Sequence, residues 1–486
     1  YEGEVRFLRA WVYFNMCKGM GGMPIVGDEV FEYSGDTDIS TLQYPRSTEA
    51  ELYDYIISEC EAIADFLPEE PSINAARATR WAALMLKARA AVYAGSLANY
   101  NNKMPNPIQT PGREVGIPAD RAAGYYEQAL VAAREVINSG RYQLNMTDPD
   151  DLQRNFYEAL SIKENNPEVI WARDYKYPGQ TVGLTRINIP GTHAEDIDRA
   201  YAGPILNLVE AFEYTDRKDG SIQTSDAKGN YIFYDQPVDA FSGKDVRLGG
   251  SISVPGAIFK GSEVVLQAGQ KYMENGQWKE RTAQPGDTGD DNVLITSVNG
   301  PTSSNQQFIN KTGFFFRKFM DETAGASTRG RNSEMWFPRF RFAEALMIAC
   351  EASFELGQTE DALGYINQIR ERAGIQMLEN LSFEDIVREK RVEFAFEDHR
   401  YWDLKRWRLA HIVWNGVQND PDAQHFALFP YLINDPGSPN DGKWVFDKQP
   451  FSNSPNPRHF QLRNYYNFID QGWINNNPKL VRNPFQ

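Results

Sequence analysis

The sequence has 486 residues, enough for a large buried core, and carries 50 Lys and Arg against 66 Asp and Glu, for a formal net charge of -16. A nucleic-acid-binding protein needs a basic surface for phosphate contacts, so this charge argues against that class. Apolar runs stay short of the roughly 18 residues that span a bilayer, which argues against a membrane-spanning chain.

Cysteine and aromatic residues indicate which kinds of site the chain can form. Cys17, Cys60 and Cys350 lie in helical, partly apolar stretches rather than at metal-ligand or redox spacings, so we interpret them as packing residues. Aromatic residues make up 13% of the chain, more than a helical core needs, and some are expected at the surface. Exposed rings beside Asn and Asp suit sugar binding, because a pyranose stacks its C–H face on a ring and bonds its hydroxyls to amides. Rings that line grooves between helices are the alternative.

The first part of the chain predicts helices. Residues 1–18 have the pattern of a helix that ends at the Gly-rich cluster of residues 19–24. Because the chain opens inside a helix, we expect the native N-terminus, with any signal or lipid anchor, to lie outside this sequence. Thr48 and Glu51 form a capping-box pattern that starts a second helix, which ends before Pro68.

Two further helices are predicted at about residues 79–93 and 121–139, with an inserted loop from Ser96 to Asp120 between them. Insertions of this size on a helical scaffold are usually functional or disordered. Asn99, Tyr100 and Asn101 in this loop are candidate ligand-binding residues, since one aromatic face stands beside amides that both donate and accept hydrogen bonds. A surface loop whose Asn residues serve turns is the alternative.

The middle third of the chain loses the helical period. Residues 169–172 predict a short strand, and residues 231–234 and 263–266 have an extended pattern. The Asn275-Gly276 pair predicts a tight hairpin turn. That hairpin would display Tyr272 and Trp278 at an exposed tip, which makes both of them candidate ligand-binding residues.

An acidic run follows the hairpin. Asp287, Asp290 and Asp291 could bind calcium, but the run lacks a full calcium-loop pattern, and a solvated acidic loop is the preferred interpretation. No other cofactor is predicted.

Residues 341–408 predict two helical hairpins. In the first hairpin an apolar stripe precedes Gly357, Thr359 is expected to cap the second helix, and Gly374 to end it. The turn glycine and a length near the 34-residue period are typical of a tetratricopeptide-like unit. In the next segment Ser382 starts a capping-box pattern, and Glu384 and Arg388 have the spacing of an i, i+4 ion pair.

Charged and aromatic residues crowd the second half of this stretch, so we expect some of the ions to be paired and partly buried. His399 and Asp403, spaced i, i+4, could ligate a metal, but a structural histidine is the preferred interpretation. Beyond Arg408, the Asn, Asp, Pro and Gly content of residues 415–457 predicts irregular chain.

Motifs along nearly the whole chain, taken in order, closely resemble the SusD/RagB family, the outer-membrane glycan-binding lipoproteins of Bacteroidetes. The resemblance rests on residues 4–10 (EVRFLRA), 21–26 (GGMPIV), 46–53 (RSTEAELY), 312–318 (TGFFFRK), 341–346 (RFAEAL), 367–374 (NQIRERAG), 389–407 (EKRVEFAFEDHRYWDLKRW) and 477–484 (NPKLVRNP).

The resemblance implies a mainly α fold in which tetratricopeptide-like helical hairpins form a scaffold, covered on one side by long loops with a few short strands. We expect a single domain over residues 1–486, with the scaffold at about 1–145 and 335–410 and a loop-rich ligand-binding portion at about 146–334 and 411–486. The resemblance also implies a lipid anchor at a processed cysteine, a location at the outer membrane on the cell surface, and a SusC-like TonB-dependent transporter as partner. It implies no catalysis.

The leading functional hypothesis is a non-catalytic surface receptor that captures oligosaccharide or polysaccharide for a transporter. The same architecture could instead bind a non-glycan nutrient such as peptide, or act as a pure scaffold for a protein partner. An all-helical glycoside hydrolase is a further alternative and would need two facing carboxylates. Glu393, Asp398 and Asp403 are candidates for that role, but neighbouring arginines make ion pairing the better interpretation.

Overall fold

The computed structural model describes residues 1–32, 34–71, 75–304 and 306–486, and its helices hold 36% of the chain. The described residues form fourteen α-helices, named α1 to α14 in chain order: Glu2–Met20, Glu49–Ala64, Arg80–Asn101, Ala122–Asn138, Leu152–Ser161, Leu184–Asn188, Leu206–Val209, Arg247–Ser251, Phe342–Glu355, Thr359–Arg372, Phe383–Glu393, Arg400–Arg406, Ala410–Val413 and Gln471–Asn476. They form ten strands, named β1 to β10: Val169–Arg173, Ile252–Ser253, Ile258–Phe259, Ser262–Glu263, Gly269–Glu274, Gln277–Arg281, Phe315–Phe316, Phe337–Arg341, Phe426–Ile433 and Trp444–Pro450.

The long helices pack in chain order into one scaffold. Helix α1 packs on α2, α2 on α3 and α3 on α4, and α4 then contacts α9, which pairs with α10. This arrangement brings the early hairpins and the hairpin of α9 and α10 together, although 203 residues of chain, 139–341, separate α4 from α9. The helical scaffold is confirmed, whereas the tetratricopeptide register of its hairpins stays a prediction.

Two of the predicted helix starts are confirmed. The Thr48 side chain accepts from the Glu51 backbone N–H and the Glu51 carboxylate accepts from the Thr48 N–H, which is the predicted capping box of α2. Ser382 and Asp385 make the same reciprocal pair at α11. Arg388, expected to pair with Glu384, instead donates to a carboxylate of the loop after α7.

The predicted cap at Thr359 is wrong. Thr359 is already the first residue of α10, and the residue before it, Gln358, makes no side-chain cap hydrogen bond. Gly357 has a φ of 75°, and the Gln358 N–H bonds back to the Ser353 carbonyl. Gln358 therefore belongs to the C-terminal turn of α9 and also directly precedes α10. The two helices are too close in sequence for a separate side-chain cap.

Helix α3 extends to Asn101, so the predicted loop does not begin at Ser96. Asn99, Tyr100 and Asn101 lie in the last turn of this helix. The sequence suggested an earlier end because Gly and Ser are weak helix formers. Gly95 faces the ring of Tyr126 so closely that a Cβ there would lie 3.1 Å from ring carbons. Tight packing on α4 thus outweighs the low local propensity.

Residues 415–457, predicted to be irregular, instead contain β9 and β10. A mixed four-stranded sheet has the order β10-β9-β5-β6, with β9 antiparallel to β10 and parallel to β5. Pro430 in the middle of β9 obscured the strand, since proline cannot donate a ladder hydrogen bond. Its carbonyl still accepts from the Ala268 N–H, at 2.8 Å. The portion beside the scaffold is therefore sheet as well as loop.

A network of buried ions joins the scaffold to the middle of the chain, and we name it the ion-pair core. Its members are Glu168, Asp245, Arg247, Lys318, Arg341, Arg372, Glu389, Glu393 and Glu397, all of them buried. Arg341 donates to Glu168, Glu393 and Glu397, each at 2.7 Å. The prediction that ions in this stretch are paired and buried is confirmed.

The cysteine interpretation is also confirmed, because Cys17, Cys60 and Cys350 are buried and free. Among the described residues, no helix is both long and apolar enough to cross a membrane.

Candidate functional site

One face of the four-stranded sheet carries an unusual set of aromatic and charged side chains. Residues that pair directly across neighbouring strands point to the same face. The register pairs Lys271 with Glu280 across β5 and β6, and Asp447 with Phe429 across β10 and β9. Because Lys271 also contacts Asp447 at 2.7 Å, all four side chains lie on one face.

A cleft of about 900 Å³ opens over this face, and we name it the sheet cleft. Its volume is within the roughly 300–1,000 Å³ typical of small-ligand sites. The residues that line it are Thr224, Ser225, Gly229, Tyr231, Ala268, Glu280, Thr282, Ala283, Gln284, Pro285, Thr296, Pro301, Thr302, Ser303, Ser304, Gln306, Phe429, Tyr431, Phe446, Asp447, Lys448 and Gln449.

Lys271 organises the charges beneath the cleft. Its ammonium lies 2.7 Å from Asp447 Oδ2, 3.9 Å from Glu280 Oε2 and 4.4 Å from the centre of the Tyr431 ring. Burial opposes the charge of Lys271, but the hydrogen bonds and charge interactions with Asp447 and Tyr231 together outweigh it and raise the pKa of the ammonium above its usual value. Burial and the Glu280 carboxylate raise the pKa of Tyr431, so its hydroxyl stays neutral.

Tyr231 is the half-buried aromatic ring on the cleft wall. Its hydroxyl donates to Asp447 Oδ1 at 2.7 Å, which fixes the orientation of the ring. The Trp278 ring meets Tyr231 edge-on, with centroids 5.9 Å apart, and lies 6.0 Å from the ring of Phe233. These three rings form one aromatic cluster at the edge of the cleft, which suits stacking on a sugar face.

The predicted hairpin is confirmed, but its two aromatic residues do not form one platform. Asn275 and Gly276 turn the chain with φ values of 52° and 73°. Tyr272 pairs with Lys279, so it points to the opposite face from Trp278. Both rings are half-buried rather than exposed at the tip. The ligand-binding role of Trp278 stays a prediction beside the sheet cleft, whereas Tyr272 faces away from it.

Asn99, Tyr100 and Asn101 lie in the helical scaffold and do not line the sheet cleft. The Tyr100 hydroxyl and the Asn99 amide both donate to the Glu355 carboxylate of α9. The Tyr100 ring stacks on Phe383 with centroids 5.0 Å apart. The Asn101 amide is buried and bonded to the backbone of Ile108 in both directions. These contacts bind helix to helix, and a ligand-binding role for the three residues stays a prediction.

The candidate catalytic carboxylates lie outside the cleft. Glu393 is fully buried, and although burial opposes its charge, Arg372, Arg341 and Arg247 hold its pKa well below the usual range. Asp403 is buried between Arg406, at 2.9 Å, and Lys390, at 3.3 Å. Asp398 is exposed. Two of the three are thus engaged in ion pairs, as the sequence interpretation expected.

Neither position considered for a metal has an assembled ligand set among the described residues. Within the described ranges, no group of three or more His, Cys, Asp and Glu could hold a metal ion. Asp291 accepts from the Val293 N–H and the Asn434 amide, and Asp287 accepts from the Gln284 N–H, as turn residues do. The His399 ring stacks on Phe394 at 4.5 Å.

Sequence reasoning missed most of the cleft. The sequence predicts that residues 231–234 are extended and that Trp278 is a candidate, but it does not single out Lys271, Tyr431 or Asp447. The available signal was the apolar run of residues 426–433, whose alternate members could have been placed on one sheet face.

Known proteins resemble the chain over its whole length. A sequence model described as the SusD family matches residues 167–485, and one described as starch-binding associating with outer membrane matches residues 1–92. A SusD-like protein of Formosa agariphila is 22% identical over 460 residues, covering 90% of the chain and 72% of the relative. Another SusD-like protein of that organism is 32% identical over 125 residues, which span 23% of the chain and only 25% of that relative.

Solved structures share the fold. A SusD-like carbohydrate binding protein from Bacteroides fragilis superposes with a TM-score of 0.64 at 21% identity, covering 99% of the chain and 79% of that protein. A structure solved with xylogluco-oligosaccharide superposes with a TM-score of 0.59 at 16% identity, covering 98% of the chain and 80% of that protein. The similarity of fold therefore extends over both the scaffold and the sheet.

Proposed function

Since the chain belongs to the SusD family, whose sequence model matches residues 167–485, we propose that it is a non-catalytic protein that binds oligosaccharide in the sheet cleft. The observation that carries the proposal is the half-buried Tyr231 ring on the wall of a 900 Å³ cleft. A sugar stacks on such a ring and bonds its hydroxyls to neutral side chains around it. The carbohydrate-binding relative and the xylogluco-oligosaccharide complex support a glycan as the ligand class.

The proposal extends to location and delivery. We infer that the complete protein is lipid-anchored at the outer membrane on the cell surface and passes glycan to a SusC-like TonB-dependent transporter. Family membership and the outer-membrane description of the second sequence model support this inference. Copurification of such a transporter from outer membranes with the tagged protein tests it, and recovery of the tagged protein alone contradicts it.

The binding test uses isothermal calorimetry with xylogluco-oligosaccharide first and a panel of other uncharged oligosaccharides after it. Thr282 is exposed on the cleft wall, so Thr282→Trp places a bulky ring in the cleft and should abolish binding. Thr215, exposed outside the cleft, provides the matched control Thr215→Trp, which should bind like the parent. A folded parent that binds no member of the panel would contradict the proposal and favour peptide or another nutrient.

A glycoside hydrolase is the second candidate, on one specific observation. Glu280 and Asp447 both lie in the cleft, and both are within 4 Å of the Lys271 ammonium. Two carboxylates on opposite sides of a bound sugar are what hydrolysis requires. The short contact of Asp447 with Lys271 favours a structural ion pair instead. Incubation of the bound glycan with the parent and with Glu280→Gln decides between the two, because only hydrolysis releases products that the variant loses.

A further inference from the structure

The charged groups of the sheet cleft are already engaged in ion pairs. Among the described residues that line it, only Glu280, Asp447 and Lys448 are charged. Asp447 is held by Lys271 and by the Tyr231 hydroxyl, each at 2.7 Å. The Lys448 ammonium lies 2.9 Å from a Glu210 oxygen. No arginine lines the described part of the cleft. A bound anion would therefore meet no free cation there.

The neutral groups, by contrast, are free to bind a ligand. The side chains of Thr224, Ser225, Thr282, Ser303 and Gln449 line the cleft and make no hydrogen bond with any other described residue. Each hydroxyl can donate one hydrogen bond and accept two, and the Gln amide can do both. Sugar hydroxyls need this combination of donors and acceptors. The unused hydrogen-bonding capacity of the cleft thus comes from neutral groups.

Besides lacking a free cation among its described residues, the cleft carries local negative charge that repels an anionic ligand. Lys271 faces two carboxylates, Glu280 and Asp447, so the three groups together carry a charge of about -1. The chain as a whole has a formal net charge of -16. A sulfate or carboxylate group that enters the cleft loses water and approaches carboxylates, and both steps disfavour it.

We propose that the sheet cleft selects uncharged oligosaccharides and rejects sulfated or uronic acid-containing chains, with Glu280 and Asp447 as the residues that exclude anions. The proposal rests on the proposed glycan-binding function and specifies its substrate class. Aromatic stacking at Tyr231 is common to charged and uncharged sugars. The discrimination comes from the paired charges beneath it.

The first experiment compares polysaccharides that share a backbone and differ in charge. Affinity electrophoresis and calorimetry measure binding of the parent to dextran against dextran sulfate, and to hydroxyethyl cellulose against carboxymethyl cellulose, together with uncharged oligosaccharides. We expect binding to uncharged members only, with any anionic partner at least tenfold weaker. An anionic member that binds as tightly as its uncharged partner overturns the selection but leaves glycan binding intact. Failure of every member to bind overturns the proposed function and the selection with it.

The second experiment reverses the local charge. Glu280→Gln with Asp447→Asn leaves Lys271 without a carboxylate and should allow binding of anionic members at low ionic strength. Added 0.5 M NaCl, at which electrostatic interactions extend over only about 4 Å, should remove that gain. The control Asp120→Asn with Glu127→Gln makes the same charge change at exposed positions outside the cleft and should gain nothing. If both double variants bind anionic glycans equally, selection by the cleft is overturned.

Loss of folding in the double variant is checked by circular dichroism. The Glu280→Gln single variant then serves instead, because Glu280 is exposed and Lys271 keeps its contact with Asp447. It should show a smaller gain for anionic members in the same direction. No gain in a folded single variant would overturn the role of Glu280.

Discussion

The ion-pair core and the sheet cleft both combine charged groups with aromatic rings, but they differ in how fully those groups are used. In the core, Glu393 contacts Arg247, Arg341 and Arg372, and every member is shielded from solvent. In the cleft, one lysine and two carboxylates neutralise one another in part, and neutral side chains beside them stay free. Dense charge in a sequence thus marks architecture here, and unused neutral groups mark the proposed binding surface.

The physical reason is the cost of burying ions. A charge removed from water must find opposite charge and hydrogen bonds inside the protein, or it is strongly destabilising. Arginine supplies several donors at once and so joins several carboxylates. Arg341 makes five hydrogen bonds in this way. An arginine whose donors are all engaged in this way has no capacity left for a ligand.

The largest expected effect tests the core. Glu393→Gln removes one buried charge and leaves three arginines short of a partner, so we expect the free energy of unfolding to fall by about 3–5 kcal/mol. Denaturant titration followed by circular dichroism measures the change. Glu127→Gln, at an exposed position on α4, is the control and should change stability little. A stable Glu393→Gln protein that has lost glycan binding would reverse the roles assigned to the two regions.

Lys405 of α12 differs from the ions of the core and provides a second test. It is 3% exposed, and its ammonium has no hydrogen-bond partner among the described residues. Burial, together with Arg408 and Lys18, lowers the pKa of Lys405 to about 7 from 10.5. The unfolded chain therefore binds more protons at this residue between these two pH values. Above pH 10.5 the lysine is neutral in both states and does not lower the free energy of unfolding. As the pH falls from 10.5 toward 7, the unfolded chain takes up the proton and the free energy of unfolding decreases.

The Lys405→Met variant should not show this decrease in the free energy of unfolding. Relative to the parent, we expect the variant to gain up to roughly 4 kcal/mol of unfolding free energy as the pH is lowered across this window. Unfolding titrations of both proteins at several pH values measure the difference, with the exposed Lys479→Met as control. A difference that does not change with pH would mean that Lys405 has a partner or hydration that offsets its burial.

Much of the scaffold could be predicted from the sequence, because its signals are local. The capping boxes at Thr48 and Ser382 and the turn at Gly357 each depend on residues within one helical turn. The end of α3 could not be predicted, because the contact of Gly95 with Tyr126 on α4 decides it. Local propensity fails where tertiary packing sets the boundary.

The cleft was harder to predict for the same reason. Its parts come from β5 and β6, from β9 and β10, and from the segment of Tyr231, and only sheet pairing brings them together. Trp278 was found because the Asn275-Gly276 turn marks its hairpin locally. Asp447 could not be assigned to a site, since its partner Lys271 is far away in sequence and its strand contains no local marker.

The third test removes the half-buried Tyr231 ring from the wall of the cleft. Tyr231→Ala should weaken glycan binding by about 1–3 kcal/mol, as truncation of an aromatic binding hot spot does. Calorimetry with the oligosaccharide that the parent binds measures the effect. Tyr272→Ala is the matched control, because Tyr272 is also half-buried in this sheet but points to the other face. Equal losses in both variants would show that the ligand is not bound on the face of Tyr231.

The smallest expected effect tests the boundary between the two regions at Tyr100, which the sequence suggested as a sugar platform. Tyr100→Phe keeps the stack on Phe383 and removes only the hydroxyl that donates to Glu355. We expect a loss of about 1 kcal/mol in unfolding free energy, because Glu355 loses a partner, and no change in glycan affinity. Because the ring remains, any loss of affinity at unchanged stability would have to come from a bound sugar that needs this hydroxyl. That result would place ligand contacts on α3 and extend the binding surface from the sheet into the scaffold.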